Sequence, residues 1–166
     1  MNKKGDFTGV IFLVVSISIL AIFLLIVGYI VPQITTPLVE HIGISEEINK
    51  SLHVSSNVAE HTLPTLWMIL FAGLMLGLFA TSFFIQTHPI FVPVFMLLLV
   101  IAILVAIPLS NAYEELSENA YLSTAAEQQS MIGFIMLHLP LATFIIGLTS
   151  MIIAFAKPDG GQTSLG

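Results

Sequence analysis

Four stretches of the chain are almost wholly apolar, and each is long enough to cross a bilayer as a helix, which takes about 20 residues for a hydrocarbon core of ~30 Å. They fall at about 8–31, 64–85, 89–109 and 130–156. The first, GVIFLVVSISILAIFLLIVGYIV, has only Ser16 and Ser18 as polar positions, and Pro32 is its expected stop. A helix this greasy on every side is expected to face lipid or a partner subunit. The run from Phe7 to Val31 exceeds the apolar segment of a secretory signal and is read as a retained span. The second stretch opens on Pro64, whose missing N–H costs nothing in a first turn, and carries Trp67 one turn in, at the depth of an interfacial aromatic. Only Gln86, Thr87 and His88 separate it from the third, which predicts an antiparallel hairpin. These features predict an all-α integral membrane protein, with residues 1–156 as one domain of four transmembrane helices and residues 157–166 as a short flexible cytoplasmic tail.

The two long connections are polar with a helical pattern. In residues 32–63, Ser45 is a good N-cap, Glu46 and Glu47 follow it in the first turn, and Ile48, Leu52 and Val58 or Ala59 approximate one apolar stripe. In residues 110–129, Asn111 and Glu114 have the spacing of a capping box, and Tyr113, Leu116, Ala120 and Tyr121 fall near one face. Both connections are therefore expected to form short amphipathic helices at the outer surface, the second with the option of running on into the fourth span. A weak internal echo accompanies this pattern: His61-Thr62-Leu63-Pro64 precedes one apolar run and His138-Leu139-Pro140 lies in another. Taken as a repeat, it divides the chain into two parallel hairpins.

Composition sharpens the picture. Of 166 residues 57% are hydrophobic and 8% charged, far below the roughly 25% charged of soluble domains. The net charge is −6 and all four basic residues are lysines. Lys3, Lys4 and Lys157 flank the ends of the span array and only Lys50 lies in the long connections, which predicts both termini on the cytoplasmic side, of the cell membrane. Nucleic acid is excluded as a partner, because a phosphate-binding surface needs clustered basic side chains. With no cysteine there is no disulfide, thiolate nucleophile or cysteine-ligated metal. No Asp, Glu, Lys or Arg falls inside the four spans, which argues against an acidic proton relay.

The remaining polar residues offer three kinds of site. Gly73 and Gly77 form a GxxxG step that Ala80 extends into a small-residue face, the pattern by which helices approach closely in lipid, with the fourth span, another copy or another protein as partner. His138 lies inside the fourth span; it is read either as a haem or metal ligand, with His61 as the second ligand, or as a neutral imidazole bonded to a carbonyl freed by Pro140. His41, His53, His61 and Glu60 form a possible copper or zinc group in the first outer connection. Tyr113, Tyr121, Glu114 and Glu118 are the candidate outer contact surface. The sum predicts a noncatalytic structural or assembly subunit of a membrane complex or membrane-containing particle, with the bilayer and other membrane subunits or copies of itself as partners and no cofactor. A metal- or haem-binding redox subunit and a small oligomeric channel or transporter are the alternatives.

Overall fold

The computed structural model describes residues 7–41, 46–84 and 89–156, and among these it is all helix, with no strand. Helix α1, Phe7–His41, is followed by α2, Glu46–Asn57, which runs through a π-helical turn, Val58–Thr62, into α3, Leu63–Phe84. A 3-10 turn, Pro89–Phe91, leads into α4, Val92–Ser117; α5 (Ser123–Gln128), α6 (Ser130–Leu137) and α7 (Leu139–Phe155) complete the order. Three helical stretches are long and apolar enough to cross a membrane: Gly9–Leu38, Glu46–Phe84 and Val92–Ser117. The pair α6 and α7 makes a fourth if taken as one span, although its two parts meet at 71°. Ser45, His88, Lys3, Lys4 and Lys157 lie outside the described residues, as does the side chain of His41, the last residue of α1.

Pro32 does not stop α1: the helix continues through it and through Pro37. A proline inside a helix removes one hydrogen bond and crowds the preceding turn, at a cost of about 3 kcal/mol, which flanking structure can offset. Here the apolar run continues through Ile34 and Leu38, α2 folds back along α1, and Thr35 Oγ1 donates to Val31 O at 2.9 Å beside the first proline.

Nor does α1 lie at the periphery, as its uniform greasiness led us to expect. Val10, Val14, Ile17, Ala21, Leu24 and Gly28 alternate four and three residues apart and are all buried, a seam of the kind that keeps one face toward a partner helix. In the most apolar 18 residues of each candidate span, the buried share is 44% for α1, 17% for α4 and 6% for the α2–α3 stretch. Hydropathy has no contrast to offer when the lipid face and the core face are equally apolar. The small residues on the seam, Ser18, Ala21 and Gly28, are what distinguish them.

The most extensive helix pairing is between α4 and α7. Phe95 meets Phe155 edge to face at 5.1 Å, Leu99 abuts Gly147, and Ser110 bonds Met136 just before α7, so the two helices run antiparallel. On α4 the buried positions are Leu99, Ala102, Ala106, Ser110 and Tyr113; on α7 they include Thr143, Gly147, Ser150 and Ala154. Small residues at helical spacing on both sides let the backbones approach, and van der Waals contact then supplies the attraction that no hydrophobic force provides between helices in lipid. Helix α4 also runs straight through Asn111, which is therefore no N-cap, and the 118–122 turn prevents the second outer connection from continuing into α6.

Helix α3 packs on α7 and α1, and Trp67 is its largest buried side chain. Trp67, expected at an interface with water, is 1% exposed, stacks on Phe71 at 5.5 Å and points its indole N–H at Ile17 O, 3.4 Å away. The ring fills the core and the carbonyl satisfies its only polar atom.

Gly147 shows how tight the main seam is: a β-carbon there collides with Leu99 Cδ1. Gly147→Val is expected to destabilise the fold by about 1–3 kcal/mol, as overpacked cores do. Adding Leu99→Ala should recover part of that loss, measured as a double-mutant cycle by unfolding in detergent; strict additivity would show that the two residues do not limit this contact.

Candidate functional site

At one end of the bundle, irregular backbone from two directions encloses a cleft of about 210 Å³. The π-helical turn and the start of α3 contribute Glu60, His61, Pro64, Thr65 and Met68. The junction of α5 and α6 contributes Gln128, Gln129, Ser130, Met131 and Ile132. Both irregularities have local causes. Pro64 lacks the N–H that an α-helix needs, and the turn before it widens, with Leu63 N–H reaching back to Val58 O. The carbonyl of His61 is taken by Thr65, whose hydroxyl donates to it at 2.8 Å. On the other side, Gln129 leaves helical geometry at φ −102° and ψ 35° and so separates α5 from α6.

Gln129 is 2% exposed, an unusual place for an uncharged polar side chain of that length. Its amide nitrogen donates to Leu24 O of α1 at 2.9 Å, which fixes the orientation of the amide because a carbonyl can only accept. A β-carbon on Gly28 would sit 2.5 Å from that nitrogen, so glycine is what lets the amide reach the α1 backbone. The other end of the amide, Oε1, is buried and has no hydrogen-bond partner. A buried acceptor left empty costs ~1–3 kcal/mol, so it marks either a strained point or a place for a donor from outside the fold. Glu60 is half-buried beside it in the lining, and its Oε1 accepts the Ser56 hydroxyl at 2.7 Å.

Of the anticipated metal group, Glu60 and His61 line this cleft, His53 on α2 is exposed and is not among the lining residues, and the side chain of His41 lies outside the described residues. No group of three His, Cys, Asp or Glu that could hold a metal ion occurs among the described residues. His138 is exposed at the break between α6 and α7 and is not one of the residues lining the cleft with His61. Its Nδ1 lies 2.9 Å from Phe134 O and its ring 4.7 Å from the Phe134 ring. The carbonyl that Pro140 frees is not this one but Met136 O, four residues before the proline, and Ser110 of α4 donates to it at 2.8 Å and to Leu137 O at 3.2 Å.

Gly73, Gly77 and Ala80 are all exposed, and a β-carbon on either glycine would meet nothing within 4 Å. Helix α3 packs on α7 by other residues, and the glycine step itself meets no partner among the described residues. Tyr113 is wholly buried, because α4 carries it one turn beyond Ser110 to where its hydroxyl approaches Gly133 of α6; the outer surface expected of it reduces to Tyr121, 72% exposed, with Glu114 and Glu118. Sequence reasoning passed over Gln129, Ser110, Gly28 and Gly147. The signal for Ser110 was available in Pro140, which guarantees an orphan carbonyl; nothing local separates buried Gln129 from exposed Gln128.

Comparison with protein-family models, with curated proteins and with solved structures gave no match, so the site is read from its own geometry.

Ser110→Ala is expected to cost about 1 kcal/mol, the scale of one interhelical hydrogen bond in a membrane protein. It should also speed amide exchange around residues 136–142, where the helix is broken. Hydrogen exchange read by mass spectrometry checks this, and unchanged exchange across the break would remove Ser110 as its latch.

Proposed function

We propose that this chain is a multi-pass membrane subunit that works through contacts: a structural or assembly element of a larger membrane complex or membrane-containing particle. In this reading α1, α3, α4 and the bent α6–α7 pair are its four spans. Both termini lie on the cytoplasmic side of the cell membrane, as the lysine placement favours.

The observation that carries the reading is the unequal burial of the spans. A bundle that is complete by itself gives each helix a comparable buried stripe. Here α1 is central, and α3 packs on α7 and α1 along one face that includes Trp67 and Leu78, while its GxxxG step looks outward. Small residues on an outward face lower the cost of close approach by another helix, and they contribute little to contacts with disordered lipid tails. The outer end adds Tyr121, Glu114 and Glu118 as an exposed polar surface that a partner's outer segment can meet.

Gly73→Leu should weaken assembly roughly tenfold or more, a difference of about 1.4 kcal/mol, whereas Glu118→Gln should change it little. Mild detergent extraction from the native membrane, with native mass spectrometry of the assembly, reads both. An assembly of unchanged size and stability in Gly73→Leu would defeat the proposal, since the face would then have no protein partner. Because no atom of the chain lies near either glycine, the fold of the single chain should tolerate the change.

A further inference from the structure

We infer that the break between α6 and α7 is a hinge set by bilayer thickness, bent in a thin membrane and straightened in a thick one. The inference rests on the reading of this chain as a multi-pass membrane protein.

Length is the first ground. Helix α7 has 17 residues, roughly 25 Å at 1.5 Å per residue, and by itself falls short of a hydrocarbon core of ~30 Å. The 8 residues of α6 are roughly 12 Å long, and at 71° to α7 they add only about 4 Å along its axis. The bent pair therefore just crosses a core of ordinary thickness. Straightened, residues 130–155 make roughly 39 Å, the length of the 26-residue α4 beside them. A stretch longer than its bilayer is accommodated by tilting or kinking, and that demand falls away as the bilayer thickens. The outward residues of α6 are Met131, Phe134 and Leu137, so nothing polar on that face opposes its entry into the core.

The pairing with α4 is the second ground. Leu99 abuts Gly147, Ser110 bonds Met136 O and the Tyr113 hydroxyl approaches Gly133, so the steps between partners are equal on the two sides. One antiparallel register thus runs through the bend, and α6 can reach a straight span without changing partners. The same register sets Pro108, inside α4, level with His138 at the bend. Proline eases bending, and here both paired helices carry one near the same level.

Hydrogen bonds distinguish the two positions. Across the bend His138 N–H donates to Phe134 O at 3.3 Å and Ala142 N–H to His138 O at 2.9 Å. The single Ser110 hydroxyl faces both Met136 O, at 2.8 Å, and Leu137 O, at 3.2 Å. Straightening brings the N–H of Leu141 to Leu137 O as the ordinary helical bond, while Met136 O still depends on Ser110 because Pro140 has no N–H. The bent form therefore uses Ser110 for two carbonyls and the straight form uses it for one.

Spin labels at Met131→Cys on α6 and Ile152→Cys on α7 read the bend in the full chain, since both positions are exposed and the chain has no cysteine of its own. Vesicles of dimyristoleoyl, dioleoyl and dierucoyl phosphatidylcholine give a series of increasing thickness. From the thinnest to the thickest, the distance between labels should lengthen by roughly 6 Å. Ser110→Ala takes more from the bent form than from the straight one, so it should raise the straight share in dioleoyl lipid about fivefold, the effect of one buried hydrogen bond. Equal distances in all three lipids would overturn the inference, as would a Ser110→Ala chain whose distances match those of its parent. Where Ser110→Ala does not fold, the lipid series decides by itself. Alkaline carbonate extraction of the same vesicles separates the two readings: a retained chain with a fixed distance overturns the hinge alone, and a released chain overturns the multi-pass reading with it.

Discussion

A backbone carbonyl that loses its helical donor in apolar surroundings has to find another, and one such carbonyl ties two helices of this fold together. Ser110 caps Met136 O where Pro140 cannot, whereas the hydroxyls of Thr65 and Thr35 bond back to the carbonyls four residues before them, His61 O and Val31 O. The amide of Gln129 adds a bond to Leu24 O across the bundle. Two of these four bonds run between elements distant in sequence, so repairing the backbone also fixes how helices sit on one another. The α6–α7 bend is held by α4 through Ser110, and the α5–α6 junction is held by α1 through Gln129.

Packing follows the same economy of small side chains. Where α4 meets α7, glycine, alanine, serine and threonine occupy the buried seam, and where α1 meets the α5–α6 junction, Gly28 leaves room for an amide. The glycines that face outward on α3 follow the same spacing rule without a partner inside the chain. One device therefore occurs both inside the bundle and on its outer face, which is why the pattern by itself does not say which face is which. Two of the irregular turns, the π-helical turn and the α5–α6 junction, border the cleft.

Much of the fold was legible in the residues. The long apolar runs and the helical pattern of the polar connections correspond to helices in the structure. The echo between His61–Pro64 and His138–Pro140 also has a local counterpart, since each marks an irregular turn followed by a helix with proline in its first positions. Boundaries fared worse at prolines. Pro32 and Pro37 lie inside α1, because proline sets a local cost that α2 and Thr35 offset, and such an offset is invisible until the neighbours are known. At the site, Glu60 and His61 were legible as polar residues at the mouth of a span, and Gln129, which ties the α5–α6 junction to α1, was not.

The amino-acid sequence by itself determined that the chain carries helices long and apolar enough to span a membrane, because hydropathy over twenty residues is additive and depends on no partner. It also determined where the backbone would be short of donors, since each proline names the carbonyl it abandons. Only the tertiary structure decided that Ser110 answers the carbonyl freed by Pro140, which greasy helix is central and which face of α3 is left open. Those outcomes depend on pairs of residues far apart in the chain, such as Gln129 with Leu24, Ser110 with Met136 and Gly147 with Leu99. In a chain this uniformly apolar, a buried leucine and an outward-facing one look the same until another helix lies against one of them.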